Sequence, residues 1–326
     1  MMRRLLILFA ILIVLAGMTG GAGFLWLQSA YNASTQTQNE KIIVIERGSS
    51  VASIARQLQS LGLIRFARVF RLGVRLLSDN KPLQAGEYRI PAQASASAIA
   101  EILKSGAQVV HKLTIAEGLT SIEIVDLLSD EPLLKGEVRG IPKEGTLLPE
   151  TYHFHRGETR AEIIRRMGDA LEEVLDEFWD GRADGLPFAS PEEAVILASI
   201  VEKETAVEAE RSLVAGVFIN RLKKGMRLQS DPTVVYGITN GAGPLGRPLS
   251  RADLNAKTAY NTYQIGGMPP TAIANPGRAS IAAVLNPATT DALYFVADGS
   301  GGHAFAATLE EHNRNVRAWR KLQRAN

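Results

Sequence analysis

The first forty residues fall into two stretches of opposite character. Leu5 to Leu27 is a run of 23 residues without a charge, preceded by Arg3 and Arg4 and carrying Trp26 near its far end. As a helix at about 1.5 Å per residue such a run reaches roughly 35 Å, enough to cross a bilayer core. It is longer than the apolar core of a cleavable signal, so an uncleaved anchor is expected over residues 1–28. Small residues at Ala16-Gly17 and Gly20-Gly21-Ala22-Gly23 keep cleavage open as the second reading. The two arginines place the N-terminus in the cytoplasm and everything after Gln28 outside it. Gly17 and Gly21 form a GxxxG pair, a spacing common in apolar helices. Residues 29–40 are rich in Ser, Thr, Gln and Asn and read as a linker.

Beyond residue 40 the pattern alternates between strand and helix periods. Ile42-Ile43-Val44-Ile45 is a β-branched run that predicts a strand. Gly48-Ser49-Ser50 supplies a turn and an N-cap, and Val51, Ile54, Ala55 and Leu58 share one helical face. A second helix is predicted over 68–77, a strand over 84–90 closed by Pro91, and a helix over 97–104 stopped at Gly106. Leu113-Thr114-Ile115 predicts a further strand, and Ile122, Val125 and Leu128 follow Glu117-Gly118 at helical spacing. Strand, glycine turn and helix thus occur at Gly48 and again at Gly118, a hint of duplication. The segment Ile45-Glu46-Arg47-Gly48-Ser49-Ser50-Val51-Ala52-Ser53-Ile54-Ala55, with the closing Gln84-Ala85-Gly86-Glu87-Tyr88, resembles a LysM module. That resemblance implies LysM-like packing over 41–108 and a family habit of binding N-acetylglucosamine polymers. Residues 109–144 hold the second strand-helix unit and a Gly/Pro-punctuated connection, and 145–326 has the density of a further domain.

The most informative pattern runs from Ser190 to Thr205. Ser190 as N-cap, Pro191 at N1 and Glu193 at N3 predict a helix start with a capping box. At about 100° per residue, Ala194, Ile196, Leu197, Ile200 and Val201 fall on one face. Glu204 falls in the middle of that face, and Glu202 points nearly the opposite way. A carboxyl on a buried face is costly to ionise, so its pKa rises. An acid kept protonated near neutral pH suits general-acid cleavage of a glycosidic bond. The same placement fits a structural ion pair with an arginine, so both readings stand here.

The next helix opens with Glu208 and Glu210, closes with Arg221, Lys223 and Lys224, and stops at Gly225, as the helix dipole favours. Val214, Val217, Phe218 and Leu222 are its expected buried face, and Asn220 and Arg221 are candidates for a cleft wall. Gln229, Asp231 and Tyr236 cluster around a Ser230-Asp231-Pro232-Thr233 turn, and Tyr260-Asn261-Thr262-Tyr263 is a second polar-aromatic patch. Amides, hydroxyls and tyrosines on loops suit a neutral, hydroxyl-rich ligand such as a sugar chain. His303, after the strand-like Leu293-Tyr294-Phe295-Val296, is a candidate for the same cleft or a satisfied structural histidine.

Composition narrows the chemistry further. A net charge of +2 over 326 residues gives no case for nucleic acid. The absence of cysteine excludes disulfides and thiolate metal sites and suits an oxidising compartment. No Walker A loop, HExxH, Rossmann fingerprint or GxSxG elbow is present. His153 and His155 share a strand face without an evident third ligand, so no metal is expected.

The blocks Ala198-Ser199-Ile200-Val201-Glu202-Lys203-Glu204-Thr205, Val217-Phe218-Ile219-Asn220-Arg221-Leu222, Met226-Arg227-Leu228-Gln229-Ser230-Asp231-Pro232-Thr233 and Ala259-Tyr260-Asn261-Thr262-Tyr263 resemble the signature blocks of the endolytic murein transglycosylase family (MltG, YceG-like). Leu293-Tyr294-Phe295-Val296-Ala297, Gly301-Gly302-His303-Ala304-Phe305 and Gly145-Thr146-Leu147-Leu148-Pro149-Glu150-Thr151-Tyr152 resemble its remaining blocks. The resemblance implies that Glu204 is the catalytic residue and that the MurNAc–GlcNAc bond is cut within glycan strands to leave a 1,6-anhydro end. It implies no cofactor, and it suggests partnership with peptidoglycan synthases (penicillin-binding proteins). Substrate contacts are expected from Asn220, Gln229, Asp231, Tyr236, Asn261, Thr262, Tyr263, His303 and Glu150. The fold expected is α+β: one transmembrane helix, a LysM-like α/β subdomain and a mixed α+β catalytic domain over 145–326. With the anchor, this means a single-pass inner-membrane protein with a periplasmic catalytic domain. Two other readings stay open. One is a hydrolase using Glu204 with a second carboxylate, Asp231 or Glu150. The other is a non-catalytic wall-binding scaffold working through the LysM-like region.

Overall fold

The computed structural model describes residues 2–79 and 81–325. The chain divides into two compact units. The first runs to His111 and takes back Phe154–Arg156; the second comprises Lys112–His153 and the chain from Gly157 onward.

The first unit opens with α1 (Met2–Asn32), whose apolar surface is exposed and which is long and apolar enough to cross a membrane. Only its last turns are covered, at Leu27 and Tyr31. Then come β1 (Lys41–Ile45), α2 (Val51–Ser60), α3 (Ala67–Leu76), β2 (Gly86–Ile90) and α4 (Ala96–Ser105). β1 and β2 pair antiparallel, with Ile43 opposite Tyr88 and Ile45 opposite Gly86. Strand alternation puts Ile43 and Ile45 inward, onto Ile54, Leu58, Phe70 and Ile99. Ser50 caps α2 as its sequence predicts, the Oγ accepting from the Ser53 N–H at 3.1 Å. The Tyr31 ring sits against Gly73 of α3, where a Cβ would lie 2.3 Å from the ring. Its hydroxyl meets Ser78 Oγ at 2.9 Å.

The second unit holds most of β3 (His111–Thr114) and β4 (Thr151–Phe154), which pair. Its helices are α5 (Ser121–Asp130), α6 (Arg160–Trp179), α7 (Pro191–Glu204), α8 (Glu208–Lys223), α9 (Asp231–Thr239), α10 (Arg251–Asn255), α11 (Arg278–Leu285) and α12 (Leu309–Ala325). A hairpin of β5 (Tyr294–Ala297) and β6 (His303–Ala306) precedes α12. The chain is therefore mixed α+β with one N-terminal apolar helix.

α7 is the axis of the second unit's core. Leu197, Ala198, Ile200 and Val201 are fully buried among Val214 and Phe218 of α8 and Ile281 and Val284 of α11. Its start follows the sequence in part. Ser190 Oγ accepts the Glu193 N–H at 3.3 Å, but Glu193 reaches back past the cap to the Ala189 N–H at 2.7 Å, so the capping box does not close. The single apolar stripe expected of α7 also proves too narrow. Val195 and Ser199, off that stripe, are buried as well, while Ile196 on it is half-buried. Ser199 Oγ uses its burial to accept the Ile273 N–H at 3.0 Å.

Candidate active site

Glu204 is the last helical residue of α7, where Thr205 turns to an extended φ of −142° and ends the helix. The chain returns to it at Ser230. Ser230 occupies the N-cap of α9, a position where a serine hydroxyl normally accepts a backbone N–H. Here the hydroxyl makes no cap bond and instead donates to Glu204 Oε1 at 2.5 Å. Thr262 holds the serine in place: its Oγ1 accepts the Ser230 N–H at 2.9 Å and meets Thr233 Oγ1 at 2.8 Å. Next to it, Gln229 sits in the left-handed region at φ +54°. For a non-glycine residue that costs roughly 1–3 kcal/mol, and the surrounding bonds must enforce it. They do so through the Gln229 N–H to Thr262 O at 3.2 Å and Arg221 Nη1 to Gln229 Oε1 at 3.3 Å.

Burial pushes the Glu204 carboxyl up to about 7, opposed by the Ser230 hydrogen bond, reinforced by the charge of Asp231 and opposed by His303 and Arg221. Arg221 is buried, and its guanidinium is committed to carbonyls: Nε donates to Leu293 O at 2.6 Å and Nη1 to Leu228 O at 2.8 Å. It therefore supplies positive field to Glu204 through space. His303 is oriented from behind by Glu210, with Nδ1 2.9 Å from Oε2 and its own N–H donating to Oε1 at 3.0 Å. Phe295 meets its ring edge-on at 5.3 Å between centroids. Asp231 accepts the Tyr263 hydroxyl at 2.6 Å. Burial, that bond and the charges of Asp231 and Glu204 hold the Tyr263 phenol in its neutral form.

Asp231, Tyr263 and His303 thus gather around Glu204, Gln229 is bonded to Arg221, and Thr262 holds Ser230 in place. The other candidates lie elsewhere or serve the frame. Tyr236 donates to Glu144 Oε2 at 3.2 Å, and that carboxyl is raised by burial and tied to the Ser121 N–H at 2.7 Å. Asn261 is fully buried and spends its amide on the carbonyls of Asp253, Leu254 and Ala256, closing α10. Asn220 donates to Thr290 O at 2.7 Å and Ala292 O at 3.1 Å, holding the approach to β5. Glu150 is exposed, and its charge bears on Glu117 and Tyr152.

Glu202 departs from expectation. Its side chain is only 7% exposed; Oε2 accepts the Gly277 N–H at 2.9 Å and Oε1 lies 3.9 Å from Arg211. Both glutamates of the triplet are covered, so their partners distinguish them. Glu202 is held by a backbone donor and an arginine, whereas Glu204 has, among the described residues, the single hydroxyl of Ser230.

Ser230 is the site's main addition to the sequence reading. Arg221, a cleft-wall candidate as well as a last-turn cation that the helix dipole favours, is buried near Glu204 with its guanidinium bound to carbonyls. Among the described residues, no group of three or more His, Cys, Asp or Glu is arranged to hold a metal ion. The arrangement supports proton transfer: a carboxyl poised near neutrality, one hydroxyl on it, and cationic or phenolic groups around it.

The sequence profile of the YceG-like family matches residues 43–318. A Bacillus subtilis (strain 168) protein named endolytic murein transglycosylase is 31% identical over 331 residues, covering 90% of this chain and 89% of its own length. A Streptococcus pneumoniae serotype 2 (strain D39) protein of the same name is 27% identical over 96% of this chain, which spans 65% of that relative. The crystal structure of a YceG-like protein from Listeria monocytogenes aligns with a TM-score of 0.51 at 30% identity, over 85% of this chain and 99% of that one. With the profile spanning most of the sequence and a relative matched nearly end to end, the chain belongs to the YceG-like family.

Proposed function

We propose that this chain is an endolytic peptidoglycan lytic transglycosylase that cuts the MurNAc–GlcNAc bond within glycan strands, with Glu204 as acid and then base. The observation that carries this is the environment of one carboxyl: burial lifts Glu204 to about 7, with the Ser230 hydroxyl as its one hydrogen-bond partner among the described residues. In the first half of the cycle, neutral Glu204 gives its proton to the glycosidic oxygen as the C1–O bond breaks. The MurNAc N-acetyl carbonyl oxygen shares the positive charge at C1. In the second half the Glu204 carboxylate takes the C6 hydroxyl proton while that oxygen bonds to C1. The 1,6-anhydro ring forms, the proton is back on Glu204, and water is not consumed. Burial favours the acid of the first half; Ser230, His303 and Arg221 stabilise the carboxylate of the second.

A hydrolase is the second reading, because Asp231 acts on Glu204 electrostatically and two-carboxylate glycosidases place their groups about 5–9.5 Å apart. Tyr263 already occupies Asp231, which favours a supporting role. Digestion of purified glycan strands in ¹⁸O-water, read by mass spectrometry, separates the two. Products free of label and lighter by one water than hydrolytic ends are expected; label at the new MurNAc end would establish hydrolysis. Anchoring by α1, with the enzyme on the periplasmic face, belongs to the same proposal, as does glycan binding by the LysM-like region. Support comes from the exposed apolar surface of α1 and the compact β1–β2 unit that follows it.

A further inference from the structure

One stretch of the first unit has a charge pattern that the site does not use. Between Glu46 and Asp79 there is no acidic residue, while Arg47, Arg56, Arg65, Arg68, Arg71 and Arg75 all fall there. Four of these arginines belong to α3 and the residues that lead into it. On a helical wheel, Arg68, Arg71, Leu72, Arg75 and Leu76 share the outward arc, and Val69, Phe70 and Gly73 face the core. Leu72 is 47% and Leu76 57% exposed. Arg56, Arg68, Arg71 and Arg75 make no ion pair among the described residues, and Arg65 lies over the exposed Phe66 ring at 5.1 Å. An amphipathic helix whose outer face mixes leucine with unpaired arginine is built for an anionic, partly apolar surface.

The anchor fixes where that face sits. Along α1 the change from exposed to covered side chains comes between Trp26, 60% exposed, and Leu27, 6% exposed. Beyond it the Tyr31 ring is seated on Gly73 in the middle of α3. Trp26 lines two open grooves. One, of about 650 Å³, is shared with Arg65 and Phe66; the other, of about 670 Å³, with Arg56, Phe66, Arg68 and Arg71. A tryptophan at the end of an apolar span marks the depth of the lipid headgroups. The arginines beside it therefore lie at the depth of the lipid phosphates.

We infer that α3 is an interfacial helix: its Arg68, Arg71 and Arg75 bind the phosphates of anionic phospholipids in the leaflet that α1 leaves, while Leu72, Leu76 and Phe66 enter the headgroup layer. The inference rests on α1 being a retained anchor. Each arginine at such a surface strengthens attachment several-fold, and the attraction weakens with salt.

The chain has no cysteine, so a single introduced thiol carries one label. The full-length protein is reconstituted into nanodiscs of phosphatidylcholine, with and without phosphatidylglycerol. A fluorophore is placed at Leu72→Cys or, as reference, at Ser105→Cys on the exposed end of α4. Quenching by a lipid-borne nitroxide is the readout. At position 72 it is expected to exceed the reference several-fold in discs containing phosphatidylglycerol, and to fall in high salt. Replacing Arg68, Arg71 and Arg75 together by glutamine should remove the part that depends on phosphatidylglycerol. Equal quenching at the two positions, or equal quenching with and without the anionic lipid, overturns the inference while leaving the anchor intact. A chain that leaves the discs in alkaline carbonate overturns the anchor, and this inference with it.

Discussion

In the proposed cycle one carboxyl must hold a proton and then accept one, and its ordinary pKa near 4.5 would leave too little acid at neutral pH. Burial lifts Glu204 to about 7. Because the folded value lies above the unfolded one, the folded state holds the extra proton. Stability is then highest below about 4.5 and falls as pH rises through 7. Glu204→Gln removes that penalty. It should abolish cutting and also raise the melting temperature at pH 8, with a gain on the order of 2 kcal/mol that vanishes at pH 4. A variant melting below the wild type at pH 8 would contradict this. Ser230→Ala removes the hydrogen bond that holds Glu204 down. The alkaline limb of kcat/KM should move to higher pH while kcat falls, since the carboxylate of the second half loses its donor. An unshifted limb would mean that Ser230 is structural only.

At the scale of the element, α7 carries both the core and the acid. Ile200→Ala should cost about 2–5 kcal/mol by denaturant unfolding, as for other large-to-small changes at fully buried sites. Glu202→Gln keeps an oxygen for the Gly277 N–H and should cut glycan, whereas Glu202→Ala orphans that donor and should lose about 1–3 kcal/mol. The extent of α7 was legible from Ser190-Pro191 and the apolar spacing, and Glu204 emerged from the same wheel. Burial alone does not separate Glu204 from Glu202, because a helical wheel assumes one buried side and α7 is covered on several. α9 was not legible at all. Asp-Pro serves turns and first helical turns equally well, and the turn was read. The bond from Ser230 to Glu204 spans 26 residues and depends on how α9 meets α7, which no local pattern encodes. Asn261 and Asn220 show the converse. Their blocks were recognised, but their amides close backbone carbonyls, a task with the same sequence signature as ligand binding.

At the scale of the whole molecule, topology is the first thing to establish. A reporter fused after the last residue should be active only outside the cytoplasm, and N-terminal sequencing should find the start of the chain intact. A mature end near Gly23 would show α1 to be a leader. The seat of Tyr31 on Gly73 then has a consequence for preparing the protein. Leu27 and Tyr31 belong to the same apolar cluster as Ile54, Phe70 and Tyr88, so the last turns of α1 are also a piece of the first unit's interior. Trimming the chain to start at residue 33, a natural way to obtain a soluble sample, would therefore uncover an apolar socket on α3. Such a sample should self-associate in light scattering and melt below one that starts at residue 26. The boundary between handle and fold lies inside α1, and a shortened protein has to respect it to behave as the intact one does.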